Sequence, residues 1–261
     1  VTVGGKAMVC DEWRATAPWV ADHQVEQDLV ISRALVEMFS EPIVQGGLAF
    51  RGGTALYKLH LPAARYSEDI DLVQTTAAPI GACLDALRSR LDPWLGVPRR
   101  EFAEGRVTLT YRFSAEGEPP IPLKLKVEIN SREHFSVYGL QSFPFKVASR
   151  WYTGEAPIVG YSLDEQLGTK LRALYQRRKG RDLFDLWDAL NRGSVAPARV
   201  VSAFLAYLEA EGHRVSRSEF EENLATKLQD RRFRTDVIAL LRAGVSWDPD
   251  EAAAMVGRDL V

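Results

Sequence analysis

At 261 residues the chain has room for one large domain or two small ones, and 46% hydrophobic with 26% charged content is ordinary for a globular protein with an ample core. A formal net charge of −2 argues against a general polyanion binder while leaving room for a local basic track. With only Cys10 and Cys83, a disulfide framework and a zinc cluster are excluded. No apolar run is long enough to span a bilayer. The first residues carry Lys6, Asp11, Glu12 and Arg14 in place of a signal-type apolar core, so a cytoplasmic location is expected.

Val3-Gly4-Gly5-Lys6-Ala7 has neither the upstream glycine nor the Ser or Thr after lysine that a phosphate loop needs. Over residues 16–38, Val20, Val25, Leu29, Val30, Ile31, Leu35 and Val36 recur at helical spacing, predicting one long interrupted helix with His23 on its solvated side. Next comes Ala49-Phe50-Arg51-Gly52-Gly53-Thr54, an apolar strand end, a double-glycine turn and a helix opened by Thr54. Such a turn lets backbone approach a ligand closely, although most Gly-Gly pairs are simply turns. Ser67-Glu68-Asp69-Ile70-Asp71-Leu72-Val73 then reads as a strand with Asp69 and Asp71 on one face and Ile70 and Leu72 on the other. An Asp-x-Asp pair is commonly a solvated edge. Buried, it requires a cation, and Mg²⁺ is typically held by one or two carboxylates plus substrate phosphate.

Residues 75–79 break the pattern, and 79–91 form an amphipathic helix through Ile80, Cys83, Leu84, Leu87 and Leu91, stopped by Pro93 and Gly96-Val97-Pro98. Cys83 on the apolar stripe is a buried small hydrophobe. Residues 107–113 alternate as a strand, 116–120 turn, and 123–130 form a second strand. There Leu125, Val127 and Ile129 share the buried face, while Lys124, Lys126 and Glu128 share the other; that side is either solvated or brings Glu128 to the Asp pair. Residues 143–148 and 156–159 are strands or a connecting loop, Trp151 and Tyr152 suit a domain junction, and His134 is read as surface.

Ser162 and Glu165 are spaced as a capping box opening a helix whose stripe is Leu163, Leu167, Leu171 and Leu174, with Gln166 and Lys170 on another face. Gly180 is expected to end it. The next helix turns Leu183, Leu186, Trp187 and Leu190 inward and projects Asp182 and Asp185 together. Arg172, Arg177, Arg178, Lys179 and Arg181 cluster where cations favour a helix C-terminus and would equally suit a polynucleotide backbone. From Pro197 onward the pattern is helical, through Val200, Phe204 and Leu208, then Phe220, Leu224 and Leu228, then Val237, Leu240 and Leu241. Lys227, Arg231, Arg232 and Arg234 form a second basic patch.

Gly52-Gly53-Thr54-Ala55-Leu56 followed by Arg65-Tyr66-Ser67-Glu68-Asp69-Ile70-Asp71-Leu72 resembles the AbiEii/AbiGii-type nucleotidyltransferase toxins of the DNA polymerase β-like superfamily. Lys126-Val127-Glu128 stands where that family has Lys-x-acid, with Glu in place of the commoner Asp; Gln166 with Lys170 and Asp182 with Asp185 match its later motifs. The resemblance implies an α+β (α/β-like) fold, a nucleotidyltransferase domain with a small mixed sheet flanked by helices over residues 1–160, and a helical C-terminal lobe over 161–261 that completes the cleft. It implies that Asp69, Asp71 and Glu128 hold two Mg²⁺ ions and that Gly52, Gly53, Thr54, Ser67, Lys170 and Asp185 bind an NTP, with Asp182 positioning catalytic groups. The implied function is an NTP-dependent toxin of a toxin–antitoxin system that adds nucleotides to the 3′ end of tRNA and blocks aminoacylation. An antitoxin encoded nearby is the implied partner and no membrane is expected; the candidate RNA contacts, on charge alone, are Arg172, Arg177, Arg178, Lys179 and Arg181. A small-molecule acceptor, a protein side chain, or a nucleotide-binding module without turnover are the alternatives.

Overall fold

The computed structural model describes residues 10–116, 119–193 and 195–261. The glycine–lysine stretch at 3–7 and the middle of the turn at 116–120 lie outside them. The chain divides into two compact units, one running to Phe135 and resuming over Leu140–Tyr161, the other joining Ser136–Gly139 to Ser162–Val261.

The first unit is built on strands β1 (Leu48–Arg51), β2 (Asp69–Gln74), β3 (Arg99–Ala103), β4 (Arg106–Ser114), β5 (Pro122–Asn130), β6 (Gln141–Ala148) and β7 (Thr153–Gly160). Among the described residues these form one mixed sheet in the order β3-β4-β5-β2-β1-β7-β6. The β1/β7 and β2/β5 pairs are parallel and the others antiparallel. The mixed sheet implied by the resemblance is thus present, with seven strands. Residues 143–148 and 156–159 both belong to strands, β6 and β7. The expected alternation in β4 and β5 is present, with Val107, Leu109, Tyr111 and Phe113 buried against Leu125, Val127 and Ile129. β3 carried no sequence signal because every residue in it is exposed.

Helix α1 (Cys10–Trp13) precedes α2 (Asp22–Phe39), which buries nearly its whole length, including Glu26, Gln27 and Asp28. The long helix expected from residue 16 thus begins at Asp22, and Val20 is exposed. Asp28 explains the break, because it accepts the indole N–H groups of Trp13 (2.9 Å) and Trp19 (3.2 Å) and so folds the preceding segment back onto α2. His23 is half-buried. After α3 (Pro42–Gly47) and β1, α4 (Gly52–Ala55) starts directly at the double glycine rather than at Thr54 and continues into a π turn over Leu56–His60. Helix α5 (Gly81–Leu95) carries Pro93 inside its last turn, and Gly96, at φ 79°, ends it. Cys83 is buried, as its place on the stripe requires. Trp151 and Tyr152 stack around Arg33 of α2, whose guanidinium also lies 4.1 Å from the Trp94 ring, so they serve the interior of this unit. His134 is half-buried, with Nδ1 3.0 Å from the Gln74 carbonyl at the end of β2.

The second unit contains α6 (Leu163–Gln176), α7 (Gly180–Asn191), α8 (Pro197–Ala210), α9 (Arg217–Leu228), α10 (Arg231–Thr235) and α11 (Pro249–Leu260). Ser162 caps α6 by accepting from the Glu165 N–H, but the Glu165 carboxylate does not return the bond. It is fully buried and accepts from Ser136 Oγ (2.9 Å), the Val137 and Tyr138 N–H groups (2.6 and 2.9 Å) and Tyr207 Oη (2.9 Å). That side chain, with the Tyr138 hydroxyl donating to the Arg199 carbonyl (2.7 Å), ties residues 136–139 to the helices. Gly180 opens α7 instead of closing α6, since any Cβ there would collide with the Phe233 carbonyl. Lys227 leaves the expected basic patch altogether. It is buried beside Phe220 and Leu224, and its ammonium donates to the carbonyls of Leu174 and Tyr175 at the end of α6.

Candidate active site

Strand register builds the site. Asp69 and Asp71 alternate with buried Ile70 and Leu72, so both carboxylates stand on one face of β2. Parallel pairing sets Asp71 opposite Glu128 and Asp69 opposite Lys126 on β5. On the other side Arg51, the last residue of β1, pairs with Asp71. One row across the sheet therefore reads Arg51, Asp71, Glu128, Thr108, and the next reads Asp69, Lys126, Thr110.

The double-glycine turn closes against this row. Gly52 adopts φ 86°, and a Cβ on it would strike the Asp71 carboxylate. Any residue but glycine is thus strained there twice, by its backbone and by the acid it must pass. Gly53 is constrained by space alone, since a Cβ there would meet the buried Arg65 and, at 2.9 Å, Ser67 Oγ. Thr54, itself buried, donates its hydroxyl to the Asp69 carbonyl (2.5 Å) and lies 3.0 Å from Ser67 Oγ. Thr54 and Ser67 thereby fix the turn to the start of β2. Beneath them a cavity of about 200 Å³ is walled by Trp13, Trp19, Tyr57, Lys58 and Arg65, with Lys58 held 2.6 Å from Asp28.

The electrostatics are unbalanced toward negative charge. Burial, then the neighbouring charges of Glu68 and Glu128, pushes the Asp69 carboxyl above its ordinary range despite Lys126 and Lys124. Lys126 Nζ sits 2.7 Å from Glu128. Burial opposes the charge on that lysine, but its bond to Glu128 and the fields of Asp69 and Asp71 prevail and raise its pKa. Arg51 behaves alike, with Glu133 and Asp71 outweighing the cost of burial. The motif reading assigned no role to Arg51 or Arg65. Their signal was available, since each directly flanks a recognised motif.

The donors are oxygen-only and anionic, the set that suits a hard divalent cation. Among the described residues, no three His, Cys, Asp or Glu side chains are gathered at metal-holding distances. Lys126 already engages Glu128, so that carboxylate is held by an internal cation. Asp69, Asp71 and Glu128 are donors of the kind Mg²⁺ takes, and Glu128 would have to release Lys126 to join such a set.

In the helical unit, Lys170 is buried, with Nζ 2.8 Å from Asp185 and 3.4 Å from Asp182. Asp182 also receives two bonds from Arg177, at 2.6 and 2.8 Å. Gln166 is buried one turn before Lys170 on α6. Of the basic cluster, Arg172 is buried against Glu211 (2.9 Å) with its guanidinium 4.9 Å from the Tyr207 ring, whereas Arg178 and Lys179 are exposed and Arg181 half-buried. Arg172 and Arg177 are thus committed to acids of their own unit.

The sequence profile of the nucleotidyl transferase AbiEii toxin family, a type IV toxin–antitoxin system, matches residues 33–255. Among solved structures, the chain is similar to MenT4, a nucleotidyltransferase toxin from Mycobacterium tuberculosis H37Rv, at 17% identity and TM-score 0.69, covering 98% of this chain and 88% of that one. It is also similar to a protein from H. pylori described as a nucleotidyltransferase, at 17% identity and TM-score 0.58, covering 92% and 94%. At such identities the likeness speaks to the fold alone. No curated protein matches the sequence.

Proposed function

The chain belongs to the AbiEii nucleotidyltransferase toxin family, and from that premise we propose that it transfers a nucleotide from an NTP to the 3′ end of a tRNA. The observation that carries this reading is the register of β1, β2 and β5, which lines up Arg51, Asp71 and Glu128 beside Asp69 and against the glycine turn. Mg²⁺ bound by Asp69, Asp71 and Glu128 would neutralise charge on the triphosphate and acidify the acceptor hydroxyl. The chain supplies the rest by positioning. Gly52 and Gly53 allow backbone to approach the phosphates where a side chain would collide. Thr54 and Ser67 hold that turn on β2, and Lys126 remains as a counter-charge when Glu128 changes partner.

An antitoxin partner and an NTP substrate come with the family; tRNA and Mg²⁺ are our reading. The Lys126–Glu128 bridge favours one competitor, a module that binds nucleotide without turning it over. Incubation with each of the four α-labelled NTPs, Mg²⁺ and total tRNA separates them. Label on RNA, absent with Asp71→Ala, is the expected result. Label on the protein alone, or nucleotide binding with no transfer, would overturn it.

A further inference from the structure

The face of the sheet that carries the carboxylates does not end at Glu128. It continues across β5 and β4 to the β3 edge, because residues directly opposite one another in neighbouring strands project to the same side. Lys124 pairs with Arg112, Lys126 with Thr110, Glu128 with Thr108 and Asn130 with Arg106, and Thr110 pairs onward with Arg99. A trough of about 340 Å³ runs over this face. Its charged lining is Arg99, Arg106, Arg112, Lys124 and Lys126 against only Glu101 and Glu128. A second trough of about 440 Å³ shares Arg112 and Lys124 and reaches Glu68 at the start of the β2 motif.

Both acids of the first trough have partners, Glu101 with Arg99 (2.9 Å) and Glu128 with Lys126 (2.7 Å). Among the described residues, Arg106, Arg112 and Lys124 make no ion pair, and all three are exposed. A surplus of uncommitted cations on one sheet face is notable in a chain of net charge −2. It contrasts with the Arg172–Arg181 cluster, where Arg172 and Arg177 are already engaged by Glu211 and Asp182. Successive outward residues on a strand are about 6.8 Å apart. Lys124, Lys126 and Glu128 therefore form a graded line that runs from free cation, through paired cation, to the acidic centre.

We propose that the phosphate backbone of the polynucleotide acceptor lies along this β3–β5 face, held by Arg106, Arg112 and Lys124, and delivers its 3′ end toward Glu128, Asp69 and Asp71. The inference rests on reading those carboxylates as the chemical centre, and it assigns to the sheet a role that charge clustering had offered to the basic helix end. Exposed strand positions tolerate neutral replacements, so the test does not depend on a fragile variant.

The experiment is fluorescence anisotropy of a short end-labelled single-stranded RNA with a free 3′ hydroxyl, titrated with full-length protein at several salt concentrations. Arg112→Gln with Lys124→Gln is expected to weaken binding about tenfold and to shrink the salt slope by about 1.4, at roughly 0.7 for each phosphate left unneutralised. Thermal unfolding of the variant should match wild type. Arg178→Gln with Lys179→Gln should leave binding unchanged. Unaltered affinity and slope in the sheet variant, or weakening confined to the helical variant, would overturn the proposal. Binding requires no turnover, so a protein that holds RNA through this face yet transfers nothing would sink the transferase reading and leave this one standing.

Discussion

Two groups of carboxylates, one on β2 and β5 and one on α7, differ in how their charge is answered. Asp182 and Asp185 are fully buried and meet Lys170 and Arg177, two cations for two anions, at distances of 2.6–3.4 Å. Asp69, Asp71 and Glu128 are only half-buried. They have Lys126 and Arg51 nearby, but Arg51 is shared with Glu133, and Asp69 is left with a raised pKa. The first group is a neutralised cluster that holds helices together. The second keeps a surplus of negative charge, which a divalent cation would answer. Unbalanced charge on half-buried carboxylates is what a site retains for function, at a cost in stability.

The sharpest way to break this contrast is to remove an acid from each side. Asp69→Ala and Asp71→Ala should each lower nucleotide transfer by about 10³-fold or more while far-UV circular dichroism stays native. Lys170→Met takes away the ammonium that buried Asp185 and Asp182 share, leaving Asp182 its Arg177, and should cost about 3–5 kcal/mol of unfolding free energy in urea. A change in that variant too small to measure would move Lys170 from the structural side to the functional one.

Lys227→Met sharpens the structural side, leaving the last carbonyls of α6 unanswered at a cost of about 1–3 kcal/mol. Burial, aided by the charge of Arg178, holds Lys227 at about 8, below its ordinary value of 10.5. Between those values the unfolded chain binds the extra proton, so the wild type should gain stability relative to the variant as pH rises through that window. The smallest effect belongs to Asp69→Asn. A carboxyl with a raised folded pKa binds its proton more readily in the native state, so stability falls as pH climbs from its ordinary value through the folded one. The neutral amide escapes that penalty and should melt slightly higher than wild type at neutral pH. Adding Mg²⁺ should raise the melting temperature of the wild type and leave the variant where it was.

Strict alternation made β2, β4 and β5 legible, and with them the face shared by Asp69, Asp71, Lys126 and Glu128, since side-chain direction on a strand is a local property. The glycine turn was legible for the same reason. What escaped depended on distant partners. β3 shows no alternation because it is an edge with every residue exposed. Lys227 and Arg172 look like surface cations until α6 and Glu211 are placed around them. Glu165 fits a capping box in sequence, but the backbone of 136–139 and Tyr207 claim its carboxylate. The attachment of that short segment to the helices could not be read from composition.

The central claim, that the β2 and β5 acids form a divalent-cation site, is tested most directly by calorimetric titration of the nucleotide-free protein with Mn²⁺. Wild type should bind saturably, and Asp69→Asn with Asp71→Asn should abolish the heat while the protein stays folded. Equal binding by both proteins would contradict the assignment.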